Sequence, residues 1–200
     1  MMVEAIGLLL NQLNEYISRA DGGGPGAPNQ VLWGNIAHLD RQEIATELDN
    51  HLVLTLVKIE EERVLKNGRN YSAGAAGEII YRNRPLHLNL FVLFTANYRN
   101  YATALRRVAQ VLTFFQGKQK FTLANSPGAM PNSPIAEFSL VMDLLSLTFE
   151  EVNHLWGFLG AKQSPFALYR GRLVTLSDMP ALDGGGVVQE IELISRDATA

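Results

Sequence analysis

Apolar residues recur along the chain with two different spacings, and changes between them mark the predicted elements. Between Val3 and Ile17 they return every three or four positions, which predicts an amphipathic helix with one buried side. This helix should end at the glycine-rich run 21–26, which cannot continue helical backbone. A second helix is predicted from about Asn100 to Gln116, with Gly117 as its stop.

The sequence also predicts which side of the second helix is buried and where the third helix begins and ends. In the second, Leu105, Val108, Ala109, Leu112 and Phe115 are predicted to be buried, with Arg106, Arg107 and Gln110 outside. The third should begin at Thr148, because Glu151 stands three residues further on, as a capping box requires. Gly160 is predicted to end it.

Alternating apolar residues predict the strands, most clearly from Leu86 to Thr95. In the run Glu137–Leu145, the alternation places Phe138, Leu140, Met142 and Leu144 on the core face and Asp143 outward. Small and polar residues predict loops at 69–77, 125–134 and 184–186. The other predicted strands are Val31–Ile36, His51–Glu62, Phe121–Leu123, Ala167–Leu176 and Val187–Ile194.

The order of the elements indicates the fold class. Helices and strands do not alternate one for one, which favours an α+β fold with a mostly antiparallel or mixed sheet packed by about three helices. We find neither an internal repeat nor an internal boundary. The sequence therefore predicts one domain over residues 1–195, with a frayed tail at 196–200.

Charge and composition narrow the classes of function. The chain has 17 lysines and arginines against 20 aspartates and glutamates, so no basic field is expected to gather nucleic acid. The absence of cysteine excludes disulfides and thiol catalysis. The N-terminus lacks the basic start of a signal peptide, and no apolar run reaches the roughly 20 residues of a membrane helix. We expect a soluble, cytoplasmic protein without a membrane partner.

No arrangement of residues indicates a catalytic, cofactor or metal site. None of the four histidines stands four positions from another, as a helical zinc motif requires. The chain also has no Gly-x-Ser-x-Gly nucleophile motif, and its glycine run lacks the lysine of a P-loop. Glu150 and Glu151 are better explained by the favourable field at a helix N-terminus than by acid–base chemistry.

Four blocks of sequence resemble a known family. They are residues 57–67, 85–96, 101–118 and 153–173, the last containing Ser164-Pro165-Phe166-Ala167-Leu168-Tyr169-Arg170-Gly171-Arg172. In this order they resemble cap or tail-terminator proteins of extracellular contractile injection systems of the antifeeding prophage and Photorhabdus virulence cassette type. The resemblance implies a phage-tail-terminator-like fold without catalytic residues. It also implies a ring, expected to be hexameric, that ends the inner tube and sheath of a phage-tail-like particle at the end distal to the baseplate.

Two polar strand segments are the predicted contact sites of this structural protein. The segments comprise Glu60, Glu61, Glu62 and Arg63 in one strand and Tyr169, Arg170 and Arg172 in another. The resemblance implies sheath and inner tube proteins as partners, with assembly in the cytoplasm before the particle is complete. Three alternatives remain open from the sequence: a tube or baseplate component of the same machine, a small-molecule enzyme, and a nucleic-acid-binding module.

Overall fold

The computed structural model describes residues 2–24, 28–62, 71–73, 79–81, 86–122, 125–126, 139–176 and 183–185. Its helices are α1 (Met2–Ala20), α2 (Gln42–Leu48), α3 (Tyr101–Gly117) and α4 (Phe149–Leu159), with a short 3₁₀ turn at Ile36–His38. Its strands are β1 (Val31–Trp33), β2 (His51–Glu61), β3 (Tyr71–Ala73), β4 (Ile79–Tyr81), β5 (Leu86–Asn97), β6 (Lys120–Thr122), β7 (Ser139–Leu145), β8 (Phe166–Leu176) and β9 (Asp183–Gly185).

Six of these strands form the main sheet, in the order β1-β2-β5-β8-β7-β6. β1 runs parallel to β2, and all the other neighbours are antiparallel. β3, β4 and β9 form a separate three-stranded antiparallel sheet. The protein is therefore α+β with a mixed main sheet, as the sequence predicted.

The first face of the main sheet is covered by α1 and α3. Leu9 and Leu13 of α1, together with Val111 of α3, pack against the face that carries Val92 and Phe94. This core is rich in aromatic contacts, which add specific edge and offset geometry to the burial of apolar area. The rings in contact include Phe94, Phe114, Phe115, Phe121 and Tyr169.

The second face is covered over only part of its area, by the 3₁₀ turn, α2 and α4. Its smaller core contains Ile36, Leu48, Val53, Leu93, Leu159 and Leu168. The buried hydroxyl of Thr55 fastens this layer to β2, because it donates to Gly34 O at 2.6 Å and accepts from Ile36 N at 3.2 Å. Helices therefore lie on both sides of the sheet, and the described helices leave part of the second side uncovered.

A one-residue irregularity in β2 decides which side chains reach that open area. Leu56 pairs with Val92 and Lys58 pairs with Phe91, which are neighbours in β5. Val57 is therefore an extra residue in β2 without a partner of its own in β5. The bulge shifts the alternation by one position. As a result Lys58 and Glu60 lie on the second face, together with Phe91.

The structure confirms most of the predicted elements and corrects several. α1, α3, the capping box of α4, and the strands β2, β5 and β8 lie where the sequence placed them. The predicted loops 69–77 and 184–186 are wrong in part, because β3 and β9 lie there, and α2 was not predicted. The strand predicted at Val31–Ile36 ends at Trp33. The strand predicted at Val187–Ile194 and the tail 196–200 lie outside the described residues.

The predicted orientation of α3 is wrong by part of a turn. Its buried residues are Ala104, Arg107, Val111, Phe114 and Phe115. Arg107, predicted to be outside, is only 9% exposed and forms an ion pair with Asp21 at the end of α1. Leu105 and Leu112, predicted to be buried, are exposed. The buried guanidinium is tolerated because Asp21, Gln110 and Gln30 accept its hydrogen bonds.

Strand β7 follows its predicted pattern except at its end. Leu140 and Met142 are buried against the first face, and Asp143 points to the second face. Leu144 was predicted to be buried but is 52% exposed, and it lies in the part of β7 beyond its pairing with β6, which extends only to Val141. Phe138 lies outside the described residues.

Candidate assembly surface

The part of the second face that no helix covers carries a compact set of polar side chains and one aromatic ring. We call this set the open face, and its members are Lys58, Glu60, Phe91, Asp143, Arg170 and Arg172. Strand pairing brings them together, because Lys58 and Arg170 flank Phe91 from either side and Asp143 lies opposite Arg170. Neighbouring strands are about 4.8 Å apart, so four strands place these side chains within one protein-contact patch.

The structure places some of the predicted contact residues on the open face and others elsewhere. Glu60, Arg170 and Arg172 share the open face, although they come from segments more than 100 residues apart. Glu61 pairs with Leu88 and belongs to the opposite face. Glu62 accepts a hydrogen bond from Asn89 Nδ2 at 3.1 Å.

Tyr169, also predicted as a contact residue, is not on this face. Tyr169 is 3% exposed and packs on the first face, where its ring contacts Phe115 at 4.5 Å between centroids. Burial raises the pKa of its phenol to about 12, so the hydroxyl stays protonated at neutral pH. Arg63 lies outside the described residues.

The charges on the open face are paired unequally. Arg172 Nε lies 2.5 Å from Asp143 Oδ2, in contact but without the alignment of a hydrogen bond, and an Arg170 nitrogen lies 3.9 Å from the same oxygen. Lys58 pairs with Glu60 at 2.8 Å, and its ammonium lies 5.1 Å from the centre of the Phe91 ring. Two guanidinium groups therefore share one carboxylate, which leaves an excess of positive charge on the β7–β8 side.

An apolar groove borders the open face where α4 crosses the sheet. We call it the α4 groove, a cavity of about 600 Å³ lined mainly by Val57, Phe91, Leu155, Phe158 and Leu168. Phe158 is 80% exposed. A contiguous apolar patch with a polar rim is typical of a protein contact site.

Helix α4 is held firmly at both ends. Thr148 Oγ1 accepts from Glu151 N at 3.2 Å, and the Glu151 carboxylate accepts from Thr148 N at 2.8 Å. Hydrogen bonds that the Glu151 carboxylate accepts from the backbone and side chain of Thr148 lower the pKa of Glu151, which keeps this rim residue of the groove ionised. Gly160 ends the helix in the left-handed conformation, at φ 63°.

The described residues offer little for catalysis. They contain no group of three or more histidines or carboxylates placed to hold a metal ion. His154 lines the α4 groove, and His51 Nδ1 contacts Asp49 O at 2.8 Å. Within the same part of the chain, no helix is long and apolar enough to cross a membrane. The geometry is that of a contact surface, with apolar and charged areas side by side.

Comparison with known proteins identifies a matching family and similar solved structures. The family described as the Pvc16 N-terminal domain matches residues 5–190. The sheath/tube terminator of the PVC extracellular contractile injection system, in its extended state, aligns with TM-score 0.61 and 11% identity over 100% of this chain. The anti-feeding prophage cap, which terminates the tube, aligns with TM-score 0.49 and 13% identity over 72% of this chain and 49% of that cap.

The similarity to known proteins is limited in two ways. No curated protein sequence matches the chain. The chain spans 65% of the length of the PVC terminator, so that protein has additional residues without a counterpart here. The alignment nevertheless includes both sides of the main sheet, and the fold is that of the terminator.

Proposed function

The chain belongs to the Pvc16 N-terminal domain family, and from that premise we propose that it is a structural cap of a contractile injection system. In this function it ends the inner tube and the sheath of the particle at the end distal to the baseplate. It acts by shape and contact and transforms no substrate. Its assembly takes place in the cytoplasm, before the finished particle is released or stays associated with the cell.

The open face is the observation that carries this proposal. A sheet face that is half covered by its own helices and half occupied by mixed charges favours a partner that completes the layer. The charges also keep the surface hydrated until that partner arrives. Glu60, Arg170 and Arg172 are therefore proposed to contact a neighbouring subunit, the sheath or the tube.

A ring with sixfold symmetry gives the cap its mechanism. Each copy uses two different surfaces for its two neighbours, and the rotation closes, so that the assembly does not grow into a filament. One side of the ring binds the last tube and sheath subunits, and the other side offers them no further binding surface. Polymerisation then stops for a geometric reason.

Electron microscopy of particles tests the proposal. Removal of the chain should give tubes of uncontrolled length with unfinished ends, whereas removal of a tube protein would give no tubes. A particle preparation in which the chain is absent from the distal end would overturn the proposal. So would turnover of a small molecule by the purified chain.

Charge reversal tests the role of the open face. Arg170→Glu with Arg172→Glu places two acidic side chains beside Asp143 and should sharply reduce the share of particles that carry the cap, as counted by antibody labelling. Lys162→Glu is the matched control, because Lys162 is exposed and lies in the loop after α4. Normal capping by the Arg170/Arg172 variant, with unchanged folding, would exclude the open face from the contact.

A further inference from the structure

Helix α3 has a second apolar side, which faces away from the core. Tyr101, Leu105 and Leu112 are 66%, 48% and 37% exposed, although they lie on one stripe of the helix. At about 100° per residue, the stripe lies roughly a quarter turn or more from the buried side that carries Val111 and Phe114. We call these three residues the α3 stripe. A soluble helix with an exposed apolar stripe of this length is typical of a protein contact.

The α3 stripe and the α4 groove belong to opposite layers of the molecule. α3 packs on the first face of the sheet, with Phe115 against Phe94, whereas α4 packs on the second, with Leu159 in the smaller core. The stripe of one chain therefore cannot enter the groove of the same chain. Between two copies the same contact is heterologous, so it can repeat around a ring.

The charges beside the two surfaces are complementary. Arg106 follows Leu105 on α3 and is exposed. Glu150 and Glu151 lie in the first turn of α4, at the end of the groove, and Glu151 is held ionised by Thr148. Lys58 also lines the groove, on its strand side, where its charge is paired with Glu60. The unpaired acidic rim among the described residues of the groove is therefore at α4, and together with the basic flank of α3 it favours one orientation of the contact over its reverse.

We propose that the α3 stripe of one copy lies in the α4 groove of the next copy. The inference rests on the ring of the proposed function and names the contact that builds it. The occupant is a helix of the same chain, held by Tyr101, Leu105 and Leu112 against Phe91, Leu155 and Phe158. This is the helix-in-groove mode, in which apolar residues three and four positions apart serve as anchors.

Cross-linking tests the contact, and the chain suits the experiment because it has no cysteine. Leu105→Cys and Phe158→Cys are introduced together, in cells that assemble particles, and a short bismaleimide reagent is added. On a denaturing gel, the monomer band of the double variant should be replaced by a ladder of covalent oligomers that ends at the ring size. Each single variant should stay monomeric, and a mixture of the two should stop at the dimer.

Controls separate the contact from chance collisions and from misfolding. Leu105→Cys combined with Asn11→Cys on exposed α1 should give no ladder. Tyr101→Cys with His154→Cys is a second pair across the same contact and should give the same ladder as the first. Both positions of the first pair are exposed, so the thermal midpoint of each variant should match that of the unaltered chain.

The outcomes distinguish this inference from the proposed function. If the cap is present at particle ends but neither double-cysteine variant forms covalent oligomers, the contact is overturned and the cap function stands. A covalent dimer from Leu105→Cys alone would indicate a symmetric contact and would also overturn the inference. A ladder without any cap on the particles would support the contact and overturn the function.

Discussion

The side chain of Asn14 pairs with both backbone groups of Val31, as a neighbouring strand would. Asn14 Oδ1 accepts from Val31 N at 2.8 Å, and Asn14 Nδ2 donates to Val31 O at 2.9 Å. The same oxygen also accepts from Gln30 N at 2.8 Å. β1 is the edge strand on this side, so the amide of a helix residue occupies the position at which another chain would otherwise pair.

Replacing Asn14 should therefore destabilise the protein. Asn14→Ala leaves the backbone groups of Val31 without partners in a buried site, at a cost of roughly 2 kcal/mol or more in the free energy of unfolding. Urea denaturation followed by circular dichroism measures this difference. Asn11→Ala, at an exposed position of the same helix, should change the free energy by less than about 0.5 kcal/mol. Equal effects of the two substitutions would contradict the edge-pairing role.

The ion pair of Arg107 with Asp21 predicts a loss of stability in acid. Burial alone would raise the pKa of Asp21, but hydrogen bonds from Arg107 and Gln110 and the nearby positive charges lower it on balance. A carboxyl group with a lowered pKa stabilises the fold above its unfolded pKa of about 3.9. That contribution disappears as the pH falls through the folded value.

The difference between the unaltered chain and Asp21→Asn should follow the same pH dependence. At pH 7 we expect the variant to be less stable by on the order of 1 kcal/mol, since the Asp21 side chain is 33% exposed and the pair is partly screened. Once the pH is below the folded pKa of Asp21 the difference should vanish, because the native carboxyl group is then protonated as well. Glu47→Gln, at an exposed position of α2, is the control and should show little difference at pH 7. A constant difference from pH 7 to pH 2 would exclude the ionised pair as its origin.

The N-terminus of α4 should depend on Thr148. Thr148→Ala removes the acceptor for Glu151 N and should cost about 1 kcal/mol, whereas Thr148→Ser keeps the acceptor and should cost much less. Thr113→Ala, at an exposed position within α3, should be nearly neutral. Thermal unfolding of the three variants compares them directly. The capping box would be unimportant if the alanine and serine variants were equally stable.

Two glycines should respond in opposite directions to alanine. A Cβ at Gly34 would lie 2.7 and 2.8 Å from the methyl carbons of Leu48 and 3.1 Å from Val53 Cγ1, within the smaller core. Gly34→Ala should therefore cost about 1–3 kcal/mol through overpacking. Gly157 lies within α4 with open space around it, so Gly157→Ala should stabilise by about 0.5–1 kcal/mol. Midpoints of urea denaturation would show the two shifts, and shifts of the same sign would refute this description of the packing.

Local rules of sequence predicted the elements whose signals are local. Strand β5 and the capping box of α4 depend on residues within a few positions of one another, and both lie where the pattern indicated. The α+β class likewise follows from the order of helical and alternating runs. α2 was missed because its seven residues give less than two full helical repeats of the apolar pattern.

Contacts between distant residues explain what the sequence could not predict. Arg107 was placed outside because an arginine on a helix is usually exposed, and the partner that permits its burial is 86 positions away. The rotation of α3 that follows from this burial also exposes Leu105 and Leu112. No local signal distinguishes that arrangement from the predicted one.

The candidate surface was predicted in pieces. Glu60, Arg170 and Arg172 stood out as charged strand positions, but the sequence did not indicate that β5 lies between their strands. Phe91 and Asp143 complete the same face only through strand register. The exposed ring of Phe158 was not among the predicted contact residues.

The extra residue at Val57 makes the outer half of β2 tolerant of one particular shortening. Leu56 and Lys58 are opposite neighbouring residues of β5, so deleting Val57 would join them in a regular strand with the same partners. Lys58 and Glu60 would keep the second face, and Ile59 would keep the first. A one-codon deletion at a β2 position that has its own partner would instead turn over the side chains on one side of it, because side chains in a strand alternate.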